Sequence, residues 1–223
     1  MTEANIQYTC DPSDMRFPHG MLRDALRDPD AVLGRVRPGD AEQAAQVASY
    51  YANVLDFLHS HHQAEDVLLW PKLRERAPRH ADLYDRMEAQ HSGLSAACDA
   101  AQEATGGYAA DPSEETARDL AASIHHLGTE MEVHFSEEER EILPIAAVTV
   151  SQEEWGEMPG YGMSHLTAGK PWLVLGLVLE QMNDEERAVT LAHVPPPALE
   201  MWETSGSSMF TSLIAGIRGT VPG

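Results

Sequence analysis

His61-His62-Gln63-Ala64-Glu65-Asp66-Val67-Leu68-Leu69-Trp70-Pro71 and His134-Phe135-Ser136-Glu137-Glu138-Glu139-Arg140-Glu141-Ile142-Leu143-Pro144 share one spaced pattern. Each has a histidine, a glutamate four residues later, a second acid beside it, an apolar pair, and a proline ten residues after the histidine. A shorter pair precedes them. His19-Gly20-Met21-Leu22-Arg23-Asp24-Ala25 and His91-Ser92-Gly93-Leu94-Ser95-Ala96-Ala97 both read His-x2-Leu-x2-Ala. His19 stands 42 residues before His61, and His91 stands 43 before His134. The chain therefore repeats a helical hairpin, each copy offering one histidine and then His-x3-Glu.

The surrounding pattern predicts four helices. The first runs from about Arg16 to Arg27, with Pro18 tolerated in its first turn. The second opens at Asp40, a good N-cap, and reaches about Trp70, with Val47, Tyr50, Tyr51, Val54 and Leu58 at i, i+3, i+4 spacing. The third spans about His80 to Thr105, closed by Gly106-Gly107, and the fourth runs from the Asp111-Pro112-Ser113 cap to about Leu143. Short polar loops between them give an up-and-down four-helix bundle in an all-α chain. The expected division is a leader at 1–14, the bundle at 15–150 and a helical extension at 151–223. Within the extension, the Gly- and Pro-bearing stretch 155–171 reads as a linker or structured loop. Helices are expected at about 171–182, 184–192 and 198–218.

In a helix, residues i and i+4 share a face. His61 with Glu65 and His134 with Glu138 can therefore point together into the bundle. An imidazole gives one nitrogen to one metal, whereas a carboxylate has two oxygens and can bridge two ions about 3.5–4 Å apart. With His19 and His91 from the other two helices, the candidate metal ligands are His19, His61, Glu65, His91, His134 and Glu138. Such a mixed nitrogen and oxygen set suits iron or manganese better than magnesium or calcium. A single His-x3-Glu is ordinarily a surface pair. Two at matching distances from proline, each preceded by a spaced histidine, are hard to produce by chance, and burying all six without a cation is costly. His62 with Asp66 forms a rival i,i+4 pair for the inward face, and His62 and His59 need not be ligands.

Charge and cysteines narrow the setting. The chain has 36 acidic and 15 basic residues, net −21, a surface that repels nucleic acid and anionic lipid. No apolar run approaches the roughly 18 residues of a membrane span. The N-terminal residues carry no secretory-signal pattern, and Cys10 and Cys98 do not make a disulfide framework, so the cytoplasm is the expected location.

These residues resemble the hemerythrin-like family with its HHE cation-binding domain. The likeness covers about residues 15–148. Its pattern of one histidine, His-x3-Glu, one histidine and His-x3-Glu is similar to that of an actinobacterial-type subgroup. The resemblance implies two iron ions, oxo- or hydroxo-bridged, with manganese the lesser alternative. It also implies a small diatomic or peroxide ligand, and chemistry in oxidative or nitrosative stress in preference to reversible O2 carriage. Two departures stand out. The family's second histidine of helix three falls at Ser95, and the acid of helix four comes at Glu138, with Glu139 at the i+5 position used by O2 carriers. Tyr50, Tyr51 and Glu130 are candidate substitutes for the missing ligand. Rival functions are a sensing or binding module without turnover, and a di-iron oxygenase whose pocket the extension shapes. In the extension, Tyr161, His165 and Trp172 are read as a packing arm before a lid over the metals, and its apolar helices as core or a homodimer interface.

Overall fold

The computed structural model describes residues 7–219. Among them there is no strand; the chain is all-α, and four long helices form the bundle. These are α1 (Arg16–Leu26), α3 (Ala41–Ala64), α5 (Ala81–Ala110) and α6 (Glu114–Glu137), with a short α2 (Pro29–Leu33) between the first two. Helix α5 packs between α3 and α6, and α1 closes the bundle against α6 and α3. Caps fix the entries. Asp40 accepts from the Gln43 amide, Ser113 from Thr116, and Asp28 from Ala31, which satisfies amides that a helix N-terminus leaves free.

One expected helix end and one expected loop differ in the structure. Gly106-Gly107 does not close α5, which continues to Ala110. Each mid-helix glycine costs roughly 1 kcal/mol against alanine. Tyr108 lies just beyond, 3% exposed in the main core, so its burial offsets that cost. Residues 155–171 are also more ordered than a linker, since Gln152–Trp155 (α8) and Glu157–Ser164 (α9) are helical. Trp155 and Met158 anchor them beside Leu69, Trp70 and Tyr84.

The His-x3-Glu helices change pitch where their glutamates lie. Glu65–Leu69 and Glu138–Ile142 are π-turns, in which the Trp70 amide bonds the Glu65 carbonyl and the Leu143 amide bonds that of Glu138. The chain then resumes as α4 (Trp70–Arg76) and α7 (Leu143–Ala146). Pro71 and Pro144 sit in the first turn of these helices, where a missing N–H is tolerated. Such bulges recur at functional sites because they re-aim side chains.

Of the leader, residues 7–14 are described, and residues 1–6 lie outside the description. The Thr9 and Cys10 amides bond the Ala147 carbonyl, and Cys10 is buried. At the other end, α10 (Pro171–Glu180) packs on α1 and α3, followed by α11 (Asp184–His193), α12 (Pro196–Met201) and α13 (Ser207–Arg218). Leu173, Val174, Leu177, Leu213 and Ile217 share the bundle's core cluster with Leu55 and Leu127. Gly176 allows the Phe210 ring to lie against the α10 backbone, where any Cβ would collide with it. No described helix is long and apolar enough to cross a membrane.

Candidate metal centre

The structure brings all six sequence-derived ligand candidates together in the bundle interior. His19, His134 and Glu138 are 0% exposed, Glu65 1%, His91 6% and His61 8%. The Nε2 nitrogens of His19 and His61 lie 3.2 Å apart, and those of His91 and His134 3.1 Å apart. Glu65 reaches His61 at 3.2 Å and His91 at 3.4 Å. Glu138 reaches His19 at 3.3 Å and His134 at 3.7 Å. Each carboxylate thus faces one histidine of each hairpin. Phe135 stacks on His19 with ring centroids 3.8 Å apart, and Trp70 lies against His91 at 5.5 Å.

His62, the rival to His61 for the inward face, is also inside. It is 7% exposed, and its ring stacks on His91 at 4.4 Å between centroids. Donor atoms of His62, Glu65, His91 and His134 lie within 4.8 Å of one another, as do those of His19, His61 and Glu65. Its supposed i,i+4 partner Asp66 turns outward instead. The Asp66 carboxylate accepts from His91 Nδ1 at 2.7 Å and Trp70 Nε1 at 2.9 Å. Neighbouring helix positions differ by about 100°, so His61 and His62 each lie some 50° off the inward direction. The two rings accordingly fall into different groups of donor atoms, His61 with His19 and His62 with His91 and His134.

Tyr50, Tyr51 and Glu130, the candidate substitutes for the missing ligand, lie away from the centre. Glu130 is exposed. Tyr50 donates to the Ala25 carbonyl. Tyr51 precedes His61 by ten residues on α3, about 15 Å along the helix axis. His59, His125 and His126 are exposed, and Tyr161 and His165 stack on each other near the surface. Trp172 is buried in the main core.

Outer groups fix the ring orientations. His19 Nδ1 pairs with Glu139 at 2.7 Å, and Arg23 holds Glu139 at the same distance. His134 Nδ1 donates to Gln90 Oε1 at 3.0 Å, and Gln90 in turn donates to Glu137. With Nδ1 engaged outward, the Nε2 atoms of His19, His91 and His134 face the centre, the orientation a metal ligand requires. In the sequence, Glu139 and Asp66 stand out only by their positions beside the glutamates. Gln90 left no local signal.

The centre is electrostatically unfinished by protein alone. All four oxygens of Glu65 and Glu138, and Nε2 of His62, are enclosed and have no hydrogen-bond partner. Burial and the facing Glu138 push Glu65 up to about 7. Burial pulls His61 down to about 3 and His134 down to about 4. Buried carboxylates without donors are costly, and cations seated among them supply what is missing. The residues present therefore fit a metal group.

Fold and site together define a hemerythrin-like helical bundle with a buried His/Glu centre. The chain matches the Hemerythrin HHE cation binding domain model over residues 12–146, more than half its length, and it belongs to that family. No curated protein and no solved structure matches the chain.

Proposed function

We propose that the chain is a non-haem di-iron protein that reacts with small oxidants, with hydrogen peroxide as the leading substrate and O2 or NO as related ligands. One observation carries the reading: four buried carboxylate oxygens without a hydrogen-bond partner sit among converging imidazoles. Two iron ions would be held by His19, His61, Glu65, His91, His134 and Glu138. Manganese is the lesser alternative. Iron in such a donor set supplies electron transfer by cycling between ferrous and ferric states.

The chain's own residues do the rest. Asp66, Glu139 and Gln90 hold the Nδ1 atoms, so the Nε2 atoms are the ones turned towards the centre and free to bind a cation once any proton on them has left. Phe135 and Trp70 wall the centre in apolar surface and keep bulk water out. Small ligands suit this enclosure. Two clefts of about 390 and 520 Å³ lie against the extension, and neither is lined by a residue of the centre. The burial of the centre's side chains supports peroxide over a bulky organic substrate.

The deciding experiment is oxygen-electrode recording of iron-loaded protein given hydrogen peroxide. Disproportionation converts two peroxides into one O2 and two waters. O2 release by loaded protein, lost in the metal-stripped form, is the expected result. A stable, reversible O2 spectrum without turnover would establish the binding or sensing module instead.

A further inference from the structure

We infer that His62 replaces the histidine that helix three lacks at Ser95, giving a centre with three imidazoles at one ion (His62, His91, His134) and two at the other (His19, His61). The inference rests on the di-iron reading and names how this chain completes it. Four observations converge on His62. Its Nε2 is enclosed and has no hydrogen-bond partner. The ring stacks on His91 at 4.4 Å and meets His134 edge-on at 5.0 Å. Its donor atom falls within the 4.8 Å group of Glu65, His91 and His134, whereas His19 and His61 form a separate group with Glu65. The five histidines thus divide without overlap, and only Glu65 is common to both groups.

The register explains why α3 can do this. His61 and His62 flank the inward line of the helix on opposite sides, so each reaches a different ion, while Glu65 lies one turn on between them. A histidine directly after the first helix-two ligand thus performs the task of one a turn beyond His91 on α5. Ser95, at that α5 position, is only half-buried.

The test is anaerobic titration of metal-stripped protein with ferrous iron against a competing chelator, for the wild type, His62→Ala, His62→Gln and the exposed neighbour His59→Ala. The wild type and His59→Ala should bind about two ions. Both His62 variants should retain one ion and bind the second more than about tenfold more weakly, with altered near-ultraviolet bands after oxidation. Circular dichroism of the stripped proteins should show unchanged helix content, since loss of a buried, unpartnered imidazole does not unmake the fold. Two ions bound by either folded His62 variant with wild-type affinity and spectrum would overturn the inference. Failure of the wild type to take up iron would instead remove the di-iron reading itself.

Discussion

Glu65 and Glu138 occupy equivalent places in the two hairpins: each is the first residue of a five-residue π-turn, fully buried, with both oxygens unpartnered. Each faces one histidine of its own helix and one from another helix, at 3.2–3.7 Å. Two like charges held together in this way are a destabilising feature of the metal-free chain and the anchor of the loaded one.

Glu65→Gln separates these roles. The neutral amide imitates the carboxyl that burial and Glu138 already push up to about 7. Metal-stripped Glu65→Gln should therefore melt no lower than stripped wild type above pH 7, while its iron content falls from about two ions per chain to one or fewer. Calorimetry with and without iron, together with metal analysis, reads both effects. Unchanged iron content would remove Glu65 from the ligand set.

The pH dependence of the stripped protein has a definite sign. Burial lowers the His19 imidazole, but Glu138 and Glu139 outweigh it and raise the group from 6.5 to about 9. His91, lowered by burial and raised more by Asp66 and Glu65, reaches about 10. Protons held in the folded chain but not in the unfolded one stabilise fully below pH 6.5, and that stabilisation is lost as pH rises through 9 to 10. Iron must displace the same protons, so its affinity climbs over the same interval. The melting temperature of stripped protein should fall from pH 6.5 to 10, and the gap between loaded and stripped forms should widen. A gap that narrows would contradict the assignment.

Asp66→Asn tests the outer support. Asparagine still accepts the Trp70 indole N–H, but the carboxylate that orients His91 at 2.7 Å is gone. Iron affinity should drop about 10–100-fold with the fold intact, measured by chelator competition.

Leu173→Ala tests whether the extension belongs to the cooperative unit. Leu173 is fully buried on α10 within the bundle's core cluster. Its truncation should cost about 2–5 kcal/mol, and unfolding should remain a single transition by circular dichroism and by tryptophan fluorescence. A separate early transition confined to the extension would show that it folds apart from the bundle.

The all-α class, the repeated hairpin and the six residues now gathered in the interior were legible in the sequence. They depend on local periodicity: i,i+4 spacing puts histidine and glutamate on one face whatever the neighbours do. What lay beyond the sequence depended on the other helices. The sequence favoured His61 over the rival His62 for the inward face, and only the closing of α5 and α6 on α3 showed that both are buried at the centre. Gly106-Gly107 carried a local stop signal, which the burial of Tyr108 overrode. Gln90 had no pattern of its own and acquired its place only when α5 set it beside His134. Local spacing determined which side chains share a face; packing between helices decided which faces met, because that depends on non-local burial that no short stretch of sequence encodes.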